Sequence, residues 1–314
     1  MKHFTSPPDA DQIKKLIHDA LALKNDPLRY VELGKNKTIG LLFLNPSLRT
    51  RISTQKAARN LGMEVMVMNM DKEGWALEFN EGAIMNGTSV EHVKDAAAVL
   101  GKYCDVLGIR CFPSLDNRNY DYQEIVLNQF LKYANVPIVS LESATRHPLQ
   151  SLADLISIRE AWNNPMQQPK IVLTWAPHIK PLPQAVANSF AEWVLQSGMD
   201  LTIAHPEGLE LDEKFTSGAR ITYNQKEALE KADFIYVKNW SSFRDYGKIH
   251  HASEWMLSES KLSDAGLGKI MHCLPVRRNL ELPDDLLDGN RSLILKQAEN
   301  RVWAAQAVLK NIIS

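Results

Sequence analysis

Three clusters of side chains in this sequence have the types and spacing to do chemistry. The first is Ser47-Leu48-Arg49-Thr50-Arg51, directly after the apolar run Ile39–Leu44 and the turn dipeptide Asn45-Pro46. Two hydroxyls and two guanidinium forks lie together, with no carboxylate beside them. Arg suits phosphate because its fork meets two oxygens at once. The second is His147-Pro148-Leu149-Gln150, with Leu152 and Asp154 following. Pro148 suits a first helical position, so His147 and Gln150 fall one turn apart on one side of a helix start. A histidine there can donate to an oxygen that gains charge. The third is His272-Cys273-Leu274-Pro275, followed by Arg277 and Arg278. Arg110 stands alone at the end of another apolar run. Read by pattern alone, each has a plain alternative: an N-capped helix with solvated arginines, a capping histidine, a solvated charge.

The elements that must position these groups read as strands and helices in alternation. Strands are expected at Ile39–Leu44, Glu64–Met70, Val106–Cys111 and Pro137–Leu141, with helices at Asp9–Leu23, Ile52–Leu61, Glu91–Tyr103 and Tyr122–Tyr133. Asp71–Val90 reads as a long irregular stretch. A helix is expected from Ser151 to Ala161. A second alternation runs through strand Ile171–Trp175, helix Ala185–Gly198, strand Leu201–Ala204, helix Gln225–Lys231, and strands Phe234–Lys238 and Ile270–Leu274. Ala298–Ile313 closes the chain as a helix. Two runs of this kind predict an α/β protein with two doubly wound parallel-sheet domains. The cradle after Leu44 is then at a strand-to-helix junction, where backbone N–H groups and the helix dipole favour an anion.

Length and charge agree with this reading. The chain has 314 residues and a formal net charge of -1, enough for two domains and with no general attraction to nucleic acid or membrane. An anion site must therefore be built locally. Cys104, Cys111 and Cys273 form no disulfide framework and fit a reduced compartment. The N-terminus has no apolar signal core and no run reaches membrane-span length; a cytoplasmic protein is expected. His272 and Cys273 have no further ligands at metal spacing, so neither metal nor cofactor is expected.

The motifs resemble those of the aspartate/ornithine carbamoyltransferases. That family's phosphate signature is Ser-Thr-Arg-Thr-Arg, with Leu48 here in place of the Thr. His147 to Asp154 matches its His-Pro-x-Gln-x-Leu-x-Asp at every fixed position, and His-Cys-Leu-Pro is the pattern of its ornithine enzymes. The usual Gly-Asp-Gly-Asn-Asn and Ser-Met-Gly runs are missing. Ala176-Pro177-His178 and Val237-Lys238-Asn239-Trp240 stand there instead. Together with Phe112-Pro113, Trp75, Glu142 and Ala298-Glu299-Asn300-Arg301, this is similar to the N-acylornithine branch. An acylated α-amine has no charge to pair, whereas its carboxylate still wants a cation.

The resemblance implies a carbamoyl-phosphate domain at 1–145, joined by a C-terminal helix at 297–314, and an acylornithine domain at 146–296. It implies that Ser47, Leu48, Arg49, Thr50, Trp75, Arg110, His147 and Gln150 bind carbamoyl phosphate. Arg49, Thr50, Arg110 and His147 carry the catalysis. Val90, Glu142, His178, Lys238, Cys273, Leu274, Arg277, Arg278 and Glu281 meet the acylornithine. Family members are homotrimers with sites between subunits, and Trp75 is the candidate for reaching a neighbour. In the acetyl branch a Glu takes the place of Val90; losing that charge suits a succinyl group. Glu281 stands where acetyl enzymes can carry a carboxylated Lys. The expected acceptor is thus N2-succinyl-L-ornithine, with acetylornithine, ornithine or aspartate transfer and a non-catalytic paralogue as alternatives.

Overall fold

The computed structural model describes residues 1–10, 12–70, 74–164, 166–262 and 268–314. The chain divides into two compact units. One comprises residues 1–114, 119–149 and 301–314; the other comprises 115–118 and 150–300.

The first unit is built on four parallel strands in the spatial order Glu64–Asn69, Thr38–Phe43, Val106–Arg110, Ile138–Glu142. The inner strands are buried almost throughout, as a sheet covered on both faces requires. The first strand in sequence has the second on one side and the third on the other. The order therefore reverses beside Thr38–Phe43, which makes its carboxyl end a crevice. Phe130, Leu107 and Ile138 anchor a core between this sheet and the helices Val93–Tyr103 and Ile125–Tyr133. These helices approach closely at Gly101, where a Cβ would lie 1.8 Å from the Ala134 carbonyl oxygen. Arg301–Ser314, the later part of the terminal helix Ile294–Ile313, belongs to this unit, so the chain does return to its first domain. Asn60 donates to Gln306 there at 2.9 Å.

The second unit holds five parallel strands in the order Lys269–Met271, Phe234–Lys238, Ile171–Trp175, Leu201–Ala204, Arg220–Thr222. Its order reverses between Ile171–Trp175 and Phe234–Lys238, so His178 and Lys238 follow strands at that reversal. The doubly wound α/β class is what the alternation predicted.

Several expected bounds shift for physical reasons. The helix after the cradle begins at Arg49, so Arg49, Thr50 and Arg51 form its first turn. The helix expected from Ser151 starts at Pro148 and the terminal helix at Ile294. Glu91 and His92 are not helical; they pair with Leu77 and Glu78 as a short parallel ribbon. Asp71–Glu73 of the expected irregular stretch lie outside the described residues. Tyr122–Tyr133 is broken at Glu124, whose φ is +51°, into Arg118–Tyr122 and Ile125–Tyr133. The strand expected through Leu274 ends at Met271, because Leu274 has φ +56° and turns the chain. Among the described residues no helix is long and apolar enough to cross a membrane.

Candidate active site

The cradle is assembled from four places in the first unit. The helix Arg49–Asn60 opens on Leu48 with no side-chain cap and no acid in its first turn. Its positive dipole end therefore favours an anion. Ser47 is half-buried, and the Leu48 side chain is 66% exposed. Thr50 is buried, and its hydroxyl accepts from Arg301 Nη2 and, at 3.4 Å, from Arg110 Nη1. Arg110, at the end of its strand, is also buried. It donates to Glu142 Oε2 at 2.5 Å and lies 4.3 Å over the Phe112 ring.

His147 completes the group. Its Nε2 lies 3.4 Å from both Glu142 Oε2 and Arg301 Nη2. Burial first, then the charges of Arg301, Arg110 and Arg49, push its pKa well below the ordinary histidine value. The imidazole is therefore neutral at physiological pH. Three guanidinium groups act on His147, and one of them, Arg110, pairs with Glu142, so the cluster gathers positive charge in a buried setting, where charge is weakly screened. This suits a doubly charged phosphoryl group, with neutral and cationic donors set for an oxygen that gains charge.

The loop between Glu142 and His147 is clamped by Glu124. Its carboxylate accepts from Ser143 Oγ at 2.6 Å, Thr145 N at 2.8 Å, Ala144 N at 3.2 Å and Thr145 Oγ1. Glu142, expected among acylornithine contacts, stands in this first-unit cluster beside Arg110 and His147. Trp75 and Val90 are not part of it. They meet each other's stretch instead: Trp75 Nε1 donates to Glu91 at 2.8 Å and Val90 N to the Ala76 carbonyl at 2.9 Å. Both side chains are exposed, at 55% and 67%; Trp75 is not a core residue.

The second unit gathers another set. Lys238 is buried at the end of its strand. Glu281, 1% exposed, accepts from Arg277 N at 2.7 Å and lies 3.6 Å from His272 Nε2. Burial alone would raise its pKa. The His272 contact, the Lys238 charge and the Arg277 N–H outweigh that and hold it at about 2. His272 Nδ1 accepts from Leu274 N at 2.9 Å, which leaves the proton on Nε2 facing Glu281. Cys273 is a buried free thiol. Arg277 Nε donates to His178 Nε2 at 3.2 Å, so the His178 proton sits on Nδ1, 2.8 Å from the Lys180 carbonyl oxygen. Arg278 is brought into a different company: it forks onto Asp288 at 2.8 Å per arm and reaches Asp284 at 2.6 Å. Gln150 also belongs to this unit, bound to Asp154.

Arg301 and Glu124 are the residues that sequence reasoning did not assign to a site. Arg301 was visible only as the end of Ala298-Glu299-Asn300-Arg301. Nothing local ties it to Thr50, 251 positions away.

Residues 2–160 match the carbamoyl-P binding domain of aspartate/ornithine carbamoyltransferase, and residues 183–312 its Asp/Orn binding domain. The chain belongs to the aspartate/ornithine carbamoyltransferase family. It is 47% identical to an N-succinylornithine carbamoyltransferase of Bacteroides thetaiotaomicron, over 100% of this chain and 99% of that one. An N-acetylornithine carbamoyltransferase of Xylella fastidiosa is 33% identical, again over 100% and 99%. Among solved structures, a Glu-to-Val mutant of N-acetyl-L-ornithine transcarbamylase complexed with carbamyl phosphate and N-succinyl-L-norvaline matches with TM-score 0.94 and 32% identity, over 99% of this chain and 100% of that one.

Proposed function

We propose that this enzyme transfers the carbamoyl group of carbamoyl phosphate to the δ-amine of N2-succinyl-L-ornithine, giving N-succinyl-L-citrulline and phosphate in arginine biosynthesis. The observation that carries the reading is the buried cationic group of Arg110, Arg301, Thr50 and His147 at the strand ends of the first unit. Residues 1–145 and 297–314 form the donor domain, with the phosphate on Ser47, Arg49, Thr50, Arg110 and Arg301, and His147 of the same compact unit meets the carbamoyl end. The δ-amine attacks the carbonyl carbon. A C–N bond forms, the C–O bond to phosphate breaks, and phosphate leaves with the amine's proton. Arg49, Thr50, Arg110 and His147 stabilise the carbonyl oxygen as it gains charge, so the rate comes from positioning and fixed electrostatics.

Residues 146–296 present the amine, with Lys238 and Arg277 pairing carboxylates and the Leu274 carbonyl accepting from the carbamoyl nitrogen. Glu142 and Val90 are counted with the acylornithine contacts. The exposed, uncharged Val90 supports succinyl over acetyl, as does the 47% against 33% identity to the two kinds of relative. We further propose a cytoplasmic homotrimer with sites between subunits, in which Trp75 reaches a neighbour. Its exposure on the stretch before the ribbon, rather than in a core, supports this. No cofactor, nucleic acid or membrane enters the reading. Steady-state turnover of radiolabelled carbamoyl phosphate with succinylornithine, acetylornithine, ornithine and aspartate tests it. Succinylornithine should lead in kcat/KM; a strong acetyl preference would overturn the assignment of the acyl group.

A further inference from the structure

Ile171–Trp175 and Phe234–Lys238 are neighbours in the second unit's sheet, and their strand pairing ends at Trp175 and Lys238. Past that point the two segments stay joined. Ala176 N donates to the Lys238 carbonyl at 3.1 Å, and Ser241 N to the Leu182 carbonyl at 2.9 Å. Side chains add further bonds between them. Trp175 Nε1 donates to the Trp240 carbonyl at 2.9 Å. Asn239 Nδ2 donates to the Ala176 carbonyl at 2.7 Å, and Gln184 Nε2 to the Ser241 carbonyl at 2.7 Å. The two amides act reciprocally: each segment lends one to a carbonyl of the other. A carbonyl accepts only from the NH2 end of an amide, which fixes how both side chains turn. Ala176, Gln184, Asn239 and Ser241 are all buried, so a carbonyl deprived of its donor there is costly.

Each segment also carries a group of the acylornithine site. Lys238 ends one strand. His178 follows the end of the other, and its Nε2 accepts from Arg277 Nε at 3.2 Å. We propose that Asn239 and Gln184 are positioning residues for the amine substrate: they hold the segment bearing His178 against the end of the Lys238 strand, so that Lys238, His178 and Arg277 meet the acylornithine at one fixed spacing. Neither amide touches substrate, and all of these residues belong to the second unit. The proposal rests on the reading of Lys238, His178 and Arg277 as acylornithine contacts. Without one of the two amide bonds, His178 and the Arg277 group that leans on it shift relative to Lys238. A carboxylate that needs both cations is then held less well in the ground state and the transition state alike, which raises KM and leaves kcat in place.

The test combines steady-state kinetics, with succinylornithine as the varied substrate, and equilibrium binding of carbamoyl phosphate alone. Both are measured on wild type, Asn239→Leu, Gln184→Met and Lys238→Met, with folding followed by thermal denaturation. Lys238→Met tests the underlying reading: a KM that does not rise overturns that reading, and the proposal with it. Where it does rise, folded Asn239→Leu and Gln184→Met should each raise KM about tenfold and keep kcat within about twofold. Their affinity for carbamoyl phosphate should match that of wild type. An unchanged KM in either folded variant overturns the proposal alone. So does a loss shared with kcat or with carbamoyl-phosphate binding, which is how a merely structural loosening shows itself. Hydrogen exchange on wild type needs no variant: the Ala176 and Ser241 amides should exchange at least about 100-fold more slowly than in an unfolded chain. Exchange at the unfolded rate overturns the proposal, whether or not either variant folds.

Discussion

Replacing Glu281 with Gln removes a buried carboxylate whose pKa is held at about 2, down from 4.5. A drop of that size, at ~1.4 kcal/mol per pH unit, corresponds to ~3 kcal/mol of stability. The sign follows from which state binds the proton. The carboxyl is depressed in the fold, so on acidification the unfolded chain takes up the proton first. The contribution is complete above the unfolded value and is lost as pH falls from 4.5 toward about 2. Urea unfolding of wild type and Glu281→Gln, measured between pH 2 and pH 7, isolates the effect, since the other carboxylates cancel in the difference. The gap should be ~3 kcal/mol and level above about pH 5.5, then shrink by up to ~1.4 kcal/mol per pH unit and close near pH 2. Gln keeps an oxygen for the Arg277 N–H but not the charge facing His272 and Lys238. A constant gap across the whole range would refute the claim that these groups hold Glu281 ionised.

Arg301→Met should lower kcat/KM for carbamoyl phosphate by about 100-fold with little change in thermal stability, because the cradle loses one of its three guanidinium groups; steady-state kinetics checks this. Val90→Glu should shift the kcat/KM ratio toward acetylornithine by at least about tenfold, since a carboxylate there repels the distal carboxylate of the succinyl group; the paired assay with both acylornithines measures it. Glu124→Ala removes the acceptor of the Ser143, Ala144 and Thr145 contacts. It should cost about 2 kcal/mol in unfolding experiments and lower kcat more than it raises KM, as the Glu142 and His147 side chains lose their fixed spacing.

The strands Ile171–Trp175, Leu201–Ala204 and Phe234–Lys238 were legible to the residue, because largely buried parallel strands are short, mostly apolar runs with sharp ends. The edge strand Arg220–Thr222 was not: it is largely exposed and carries no apolar run. The place of Ser47-Leu48-Arg49-Thr50-Arg51 between a strand and a helix could be read because its residues are consecutive and follow an apolar run. Arg301 could not be assigned a place, since its proximity to Thr50 and His147 depends on where a twenty-residue terminal helix comes to rest. The same holds for Glu124, whose left-handed backbone splits an expected helix and turns its carboxylate to the loop before His147. Arg278 looked equivalent to Arg277 in sequence; only the fold reveals Asp284 and Asp288 around it.

The proposed activity depends on where the phosphorylated donor sits. A crystal structure of the protein soaked with carbamoyl phosphate measures that position directly. Its phosphate is expected against Ser47, Thr50 and the guanidinium groups of Arg49, Arg110 and Arg301, with the carbamoyl oxygen within hydrogen-bond reach of His147. Density for the donor elsewhere on the chain, with this cluster unchanged, would contradict it.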